Sequence, residues 1–302
     1  MKQKPIRPPR LEPGDTIGII APASPFDAEL FDGGIRTIES MGYRIQIPDD
    51  LFERNGYLAG SDEHRTDIIH RLFADPKIKA IVCARGGYGS MRLLPLLDFS
   101  LIRKNPKIIF GLSDLSALLS AIYSKTGLVT FHGPMITTLA NAPLETREAM
   151  IAAISPDQPH KVEMDNGIKI QSGAASGRIC GGNLNTLNHL TGTPFAPDFR
   201  DHLLFLEDRG EKPFRIDRML TQMKQADCFQ NLAGLILGDF IDCGSPQEII
   251  RIFTDAFDDA SIPIVAGCEA GHGKQNLTIP LGLEATLDAD QHTLTFHQPA
   301  TV

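Results

Sequence analysis

The sequence is poor in several kinds of residue. It has no tryptophan, and none of its apolar runs approaches the roughly 18 residues that a membrane span needs. Basic residues are in the minority, since 29 lysines and arginines face 37 aspartates and glutamates, and the net charge is -8. A nucleic-acid-binding surface needs a basic stripe. We therefore expect a protein that neither spans a membrane nor binds nucleic acid.

Cysteines are also few, and their arrangement is irregular. The five are odd in number, stand far apart and form no Cys-x-x-Cys pair: Cys83, Cys180, Cys228, Cys243 and Cys268. This pattern favours reduced thiols over a disulfide framework or a zinc site. Prolines interrupt the basic N-terminal segment, and no apolar segment of a secretory signal follows it. The expected location is the cytoplasm.

What the chain does have is enough apolar sequence for a large core. Of its 302 residues, 42% are hydrophobic. Continuous apolar strands alternate with helical patterns over residues 1–140, which predicts an α/β domain with a parallel sheet covered on both faces. Residues 141–159 are predicted to be a linker. From residue 160 to 302 the predicted strands are short and separated by turn residues, which indicates a second, smaller, β-rich domain.

One strand-to-helix corner has the layout of a nucleophile elbow. The apolar run that begins at Ile108 ends at Gly111-Leu112-Ser113, and a helix-forming run follows at once. This layout exposes a serine hydroxyl beside free backbone N–H groups. The second glycine of the full motif is missing, because Leu115 stands in its place. The alternative is that Ser113 is an ordinary N-cap of the helix.

A glycine-rich loop is predicted at a neighbouring strand end. The apolar strand Ala80–Ala84 leads into Arg85-Gly86-Gly87-Tyr88-Gly89. Sites in parallel sheets lie beyond the carboxyl ends of the strands, and glycines let the backbone present bare N–H groups there. The glycine spacing does not fit a dinucleotide fingerprint. A tight turn without a ligand is the alternative.

A nucleophilic serine needs a base and a carboxylate that orients the base. Of nine histidines, His272 is the best candidate, since it lies in the flexible Ala270–Lys274 loop after an apolar strand. His132 also follows a strand and stays a second candidate. Glu207 comes directly after the apolar run that begins at Leu203, where a carboxylate can be half-buried and fixed. Surface exposure is the alternative for each of them.

Two further polar residues are candidates with ordinary alternatives. Glu211 lies in a polar turn beside Lys212 and is a weaker candidate for the carboxylate than Glu207. Asn183 follows Gly181 and Gly182 ahead of a helix. It is either an N-cap or an amide that binds a substrate carbonyl or carboxylate.

Taken in order, the motifs resemble those of the L,D-carboxypeptidase family of serine peptidases, which includes the microcin-immunity acyl-adenylate hydrolases. The resemblance covers nearly the whole chain. It rests on Gly14-Asp15-Thr16, Ala21-Pro22-Ala23-Ser24, Ala84 to Gly89, Gly111 to Asp114, Phe131-His132-Gly133-Pro134-Met135, Gly181-Gly182-Asn183, Leu206-Glu207-Asp208, Ile216 to Leu220 and Gly271-His272-Gly273.

The resemblance implies a fold, a triad and a reaction. The fold would be a flavodoxin-like N-terminal domain with a smaller β-rich C-terminal domain, usually dimeric, with the site in the cleft between them. Ser113 would be the nucleophile, Glu207 the orienting carboxylate and His272 the base. The reaction would be removal of the terminal D-alanine of a murein tetrapeptide during cell-wall recycling, with neither metal nor cofactor.

The same resemblance implies roles for the neighbouring loops and one rival substrate. The backbone N–H groups of Asp114 and of Gly87 or Gly86 would form the oxyanion hole. Arg85, Gly86 and Asn183 would contact the substrate, Arg85 by its position alone. Acyl-adenylate hydrolysis is the rival activity, and family members of that type carry a tryptophan that stacks on the base. This chain has none, although phenylalanine or tyrosine can also stack.

Overall fold

Two β-sheets with helices between and around them make up the protein, which we describe from a computed structural model over residues 4–155 and 157–302. The strands are β1 (Thr16–Ile20), β2 (Arg44–Gln46), β3 (Ile78–Cys83), β4 (Ile108–Gly111), β5 (Thr130–His132), β6 (Lys161–Glu163), β7 (Ile168–Gln171), β8 (Ala174–Asn183), β9 (His202–Arg209), β10 (Gly234–Ile241), β11 (Ile264–Ala266), β12 (Ile279–Leu281), β13 (Glu284–Asp288) and β14 (Thr293–Phe296). The helices are α1 (Ala28–Ser40), α2 (Asp62–Ala74), α3 (Phe99–Lys104), α4 (Leu115–Thr126), α5 (Ile136–Leu139), α6 (Leu144–Ile154), α7 (Leu184–Leu190), α8 (Pro213–Gln225) and α9 (Pro246–Ala256), with a 3-10 helix at Ser90–Leu96.

The first sheet has the strand order β12-β5-β4-β3-β1-β2, and its strands β1 to β5 are parallel. Strands β3 and β4 are buried almost throughout, as their continuous apolar sequence predicts. Helix α2 begins where expected, because the Ser61 side chain accepts a hydrogen bond from the His64 N–H. The α/β fold class is confirmed.

The edge of the first sheet comes from a distant part of the chain. Strand β12 pairs antiparallel with β5, and Ile279 lies opposite His132. The remaining strands of the second half join the other sheet. The loop that carries His272 therefore lies in the chain between a strand of the second sheet and a strand of the first.

The second sheet has the order β6-β14-β13-β8-β9-β10-β11-β7. Its centre, β8 to β11, is parallel, and antiparallel strands flank it on both sides. The central strands are longer than the sequence predicts. Strand β8 continues through Gly181 and Gly182. Position 181 requires glycine, because a side chain there would overlap the carbonyl of Phe205 on β9. These glycines allow close backbone approach inside a strand.

Helix α4 connects the two sheets physically. It is buried on nearly all sides, contacts β4 and β8, and ends at Gly127, whose φ of +79° forms a left-handed C-cap. The Ser116 hydroxyl near its start accepts a hydrogen bond from the Asn183 N–H at 2.8 Å. The carboxyl end of β8 is thereby fixed against the first turn of α4. No helix in the described parts of the chain combines the length and the apolar character of a membrane span.

Candidate active site

Ser113 occupies a strained corner directly after β4. Its φ is +66°, in the left-handed region that side chains other than glycine avoid. The residue is half-buried, and its hydroxyl has no hydrogen-bond partner among the described residues. Helix α4 has Asp114, not Ser113, at its N-cap. The conformation is that of a nucleophile elbow, and the N-cap interpretation of Ser113 is wrong.

Unpaired backbone N–H groups surround this corner. A side chain at Gly86 would place its Cβ 2.9 Å from the Ser113 Cβ, so the two loops are in close contact. Gly87 has a φ of +113°, and a Cβ there would overlap the Ser24 hydroxyl. Within residues 4–155 and 157–302, the N–H groups of Gly86, Gly87 and Asp114 donate to no backbone or side-chain acceptor. These N–H groups are the donors that an oxyanion needs.

The Asp114 side chain fixes the corner. Its Oδ2 accepts from the Ser90 N–H at 2.8 Å, and the Ser90 hydroxyl donates to the Asp114 carbonyl at 2.6 Å. The carboxylate is therefore bound to the first residue of the 3-10 helix. The Asp114 side chain thus anchors the corner, while the Asp114 N–H has no acceptor in the described structure.

Glu207, on β9 of the second sheet, and His272, in the loop between β11 and β12, form a hydrogen-bonded pair. Glu207 lies within β9, is 0% exposed and accepts from His272 Nδ1 through Oε2 at 2.6 Å. Burial raises the pKa of Glu207, but the imidazoles of His132 and His272 outweigh it and hold that pKa at about 2. Burial lowers the pKa of His272, but the bonded carboxylate of Glu207 outweighs it and raises that pKa above its usual value. Glu207 is thus an anion that makes His272 more basic.

The loop around His272 is held from three directions. Gly271 has a φ of +132°, and a Cβ there would lie 2.8 Å from Glu207 Oε2. The Gly271 N–H donates to Asn276 Oδ1 at 3.0 Å, and the Gly273 N–H donates to Asp239 Oδ2 at 3.0 Å. The imidazole therefore has little freedom to leave Glu207.

Glu211 does not contact His272 in the described structure. It accepts from Asn185 Nδ2 at 2.9 Å and lies 3.6 Å from Arg215. Asn183 is 6% exposed, and its side chain is engaged on both sides. Its Oδ1 caps α7 by accepting from the Thr186 N–H, and its Nδ2 donates to Asp208 Oδ1.

A cavity of about 300 Å³ lies beside His272. Leu112, the residue before Ser113, lines it together with Arg209 and Lys274. Lys274 is exposed and has no ion-pair partner in the part of the chain that the structure describes. Sequence reasoning missed both cations, although each lies within two residues of a predicted triad member. Arg85 is exposed, and its Nη1 donates to the Pro25 carbonyl at 3.0 Å.

His132 lies on the far side of Glu207 from His272. It is 0% exposed, and its Nε2 is 3.7 Å from Glu207 Oε1. It ends β5, where it pairs with Gly111 of β4, two residues before Ser113. His132 thus connects the nucleophile strand with the carboxylate. The sequence had offered it as an alternative base, and the structure places His272 in the hydrogen bond to Glu207.

The donor set for a metal ion is small. Within residues 4–155 and 157–302, no three side chains of histidine, cysteine, aspartate or glutamate are grouped so that they could hold an ion. The chemistry that the site offers is that of a serine hydroxyl, an imidazole, a carboxylate and backbone N–H groups.

In a comparison with known proteins, both halves of the chain match domains of the same protein family. Residues 17–133 match the LD-carboxypeptidase N-terminal domain, and residues 176–287 match the LD-carboxypeptidase C-terminal domain. A probable murein peptide carboxypeptidase of Bacillus subtilis is 36% identical over 296 residues, which are 95% of this chain and 93% of that protein.

Two solved structures are similar over almost the whole chain. The muramoyltetrapeptide carboxypeptidase from Oxalobacter formigenes aligns with a TM-score of 0.81 and 30% identity, covering 93% of this chain and 97% of that one. A microcin self-immunity protein, MccF, in complex with aspartyl sulfamoyl adenosine aligns with a TM-score of 0.91 and 28% identity, covering 99% and 100%. The chain belongs to the LD-carboxypeptidase family of peptidases.

Proposed function

We propose that the protein is a serine-type L,D-carboxypeptidase that removes the terminal D-alanine from murein tetrapeptides in the cytoplasm. The observation that carries the proposal is the buried Glu207–His272 hydrogen bond of 2.6 Å, beside a cavity that Leu112 also lines. An imidazole held by a carboxylate, together with a serine in a strained corner whose preceding residue lines the same cavity, fits the parts of a hydrolytic triad. The murein carboxypeptidases among the similar proteins support the choice of substrate.

In this mechanism His272 Nε2 accepts the Ser113 proton as the hydroxyl oxygen attacks the scissile carbonyl. Glu207 holds Nδ1 and stabilises the imidazolium that forms. The N–H groups of Asp114 and of Gly87 or Gly86 bind the oxyanion. His272 then protonates the leaving amine of D-alanine, and water attacks the ester to release the shortened peptide. The contact between Ser113 and His272 forms when substrate binds, as catalytic hydrogen bonds commonly do.

The substrate's terminal carboxylate needs a cation. Lys274 and Arg209 line the cavity beside His272, and Lys274 forms no ion pair in the described structure. Arg85, the cation chosen from the sequence, is tied to the Pro25 carbonyl but lies in the same loop as Gly86. We assign the carboxylate to Lys274 and keep Arg85 and Gly86 as contacts for the rest of the peptide. The Asn183 side chain is already engaged as the cap of α7 and by Asp208, so we assign it no substrate contact. The protein is proposed to work as a homodimer.

The second candidate is hydrolysis of an aminoacyl-adenylate or a peptidyl-nucleotide antibiotic. The observation in its favour is the TM-score of 0.91 with the MccF complex. The chain has no tryptophan to stack on a nucleotide base, which counts against it.

Mass spectrometry of murein tri-, tetra- and pentapeptides after incubation with the protein tests the choice. We expect loss of one D-alanine from the tetrapeptide and little reaction with the same peptide ending in L-alanine. Inverting the last centre moves its carboxylate away from a fixed cation, and a misplacement of about 1 Å can cost roughly a hundredfold. Equal rates on both peptides, or hydrolysis of an aminoacyl-adenylate analogue without tetrapeptide cleavage, would overturn the proposal. A Ser113→Ala sample controls for contaminating peptidases.

A further inference from the structure

The buried imidazole of His132 is the feature that the triad leaves unexplained. The ring packs edge-on against Phe205, with ring centroids 4.9 Å apart, and is 0% exposed. Neither of its nitrogens has a hydrogen-bond partner within residues 4–155 and 157–302. Glu207 Oε1 is buried and unpartnered in the same way, and it lies 3.7 Å from His132 Nε2. Two orphaned polar atoms thus face each other behind the Glu207–His272 pair.

Electrostatics decides where the His132 proton is. A neutral imidazole carries its proton on one of the two nitrogens. With the proton on Nδ1, the Nε2 lone pair would face the lone pairs of the Glu207 carboxylate and repel them. With the proton on Nε2, an N–H dipole faces the anion and is attracted to it. The Nε2–H form is therefore favoured in this dry pocket, where an uncompensated buried charge is costly.

We propose that His132 is a positioning residue whose Nε2–H supports Glu207 Oε1 and thereby favours the unprotonated form of His272, in which the imidazole can act as a base. The inference rests on the proposed serine mechanism, in which His272 must accept a proton. It assigns His132 no contact with the substrate.

The direction of the effect follows from counting charge. When His272 is neutral, the Glu207–His272 pair carries one buried negative charge. When His272 is protonated, the two charges of the pair cancel. An N–H donor facing Glu207 stabilises the first state more than the second, so His132 lowers the pKa of His272. It opposes the rise that Glu207 itself causes.

Other charged residues surround the Glu207–His272 pair, and all of them are still present when His132 is replaced. Asp208 follows Glu207 on β9, and burial raises its pKa to about 6. Asp239 on β10 faces the His272 loop, and burial raises its pKa to about 6 as well. Arg209 acts on His272 from the end of β9, and Glu269 acts on Asp239. A comparison among variants at position 132 holds all of these constant.

Two substitutions separate the donor from the bulk of the ring. His132→Phe fills the space against Phe205 and removes the N–H, whereas His132→Gln keeps an N–H at the reach of Nε2. Histidine ¹⁵N NMR titration of each full-length protein measures the pKa of His272 without requiring turnover. We expect His132→Phe to raise it by about one unit, equivalent to a tenfold change in the proton equilibrium. His132→Gln should restore most of the difference.

The rate profile should follow the titration. The acid limb of kcat/KM should move to higher pH in His132→Phe with KM nearly unchanged. An unshifted His272 pKa in His132→Phe, or an equal shift in His132→Gln, would overturn the inference. If His132→Phe does not fold, the parent protein still decides, because a His132 ring protonated on Nδ1 in the NMR spectrum contradicts the proposal. Full activity of Ser113→Ala would instead remove the serine mechanism itself and leave the titration result readable.

Discussion

The two sides of the site are built by different means. On the first sheet, Ser113 is set by backbone conformation: its φ is +66°, and its hydroxyl has no partner in the described structure. On the other side, His272 is fixed by a side-chain hydrogen bond to Glu207 of the second sheet, and the positive φ belongs to the neighbouring Gly271 and not to His272. In the proposed mechanism the base is therefore organised before substrate arrives, while the hydroxyl of the nucleophile is left free to rotate.

Removing the nucleophile should have the largest effect. Ser113→Ala deletes the hydroxyl and leaves the corner in place, and loss of a triad member can cost on the order of 10⁶ in kcat. The measurement is release of D-alanine from the tetrapeptide. Ser124→Ala, on the exposed side of α4, is the matched control and should keep the parent rate. Activity of Ser113→Ala within about tenfold of the parent, on that scale, would contradict the serine mechanism.

Replacing Glu207 should lower kcat by orders of magnitude more than replacing Glu211. Glu207→Gln removes the anion that orients His272, and the corresponding change in a serine protease costs on the order of 10⁴ in kcat. It should also lower the pKa of His272, which the Glu207 charge raises, so the acid limb of kcat/KM should move down. Glu211→Gln should change kcat by less than about fivefold, since Glu211 contacts an exposed arginine and an amide. The reverse ranking would show that Glu211 orients the base.

Disturbing the oxyanion donors should have an intermediate effect. A side chain at Gly87 would overlap Ser24 and displace the loop that contacts Ser113, and loss of one such donor costs about a hundredfold or more in kcat. Gly14→Ala is the control, because Gly14 also has a positive φ, of +85°, with no atom within 4 Å of the added Cβ. We expect both variants to lose stability and only Gly87→Ala to lose kcat. Equal kcat in the two would remove Gly87 from the site.

The smallest effect concerns strain. Ser113→Gly should be more stable than Ser113→Ala by about 1 kcal/mol, because glycine adopts a positive φ without penalty. The measurement is the denaturation midpoint of two inactive proteins. At Ser124, in the last turn of α4, the same pair of substitutions should give the opposite sign, with glycine less stable by up to about 1 kcal/mol. If glycine is the less stable residue at both positions, the corner stores no strain and the contrast between the two sides fails.

Elements that carry their own signal were predictable from the sequence. Strands β3 and β4 are continuous apolar runs, and α2 has its cap at Ser61. Glu207 stands out from Glu211 because it follows the apolar run that begins at Leu203, although strand β9 continues past Glu207 to Arg209. These features depend on neighbours within a few residues. The outline of the α/β fold needed no distant contact, whereas the pairing of Glu207 with His272 was implied by the family resemblance.

What depended on distant pairing was missed. Strand β12 is three residues long, and its partner β5 lies far earlier in the chain, so no local pattern marks it as an edge of the first sheet. The contact between His132 and Glu207 joins residues of two different sheets. Lys274 lines the cavity only because the His272 loop folds against it, which no local sequence pattern indicates. The order of the motifs indicates the triad candidates, but contacts between residues far apart in the chain form only in the folded structure.

The return of β12 to the first sheet has a consequence for how this chain can be recombined. A fragment that stops at residue 140 lacks its own edge strand and exposes the unpaired edge of β5, a template for aggregation. Conversely, a second half that is transplanted to a relative carries a β12 that pairs with the β5 of its original protein and not with the β5 of the recipient. Exchange of halves between relatives should therefore succeed when residues 279–281 travel with the first half. The first sheet is therefore complete only when residues from the last third of the chain are present.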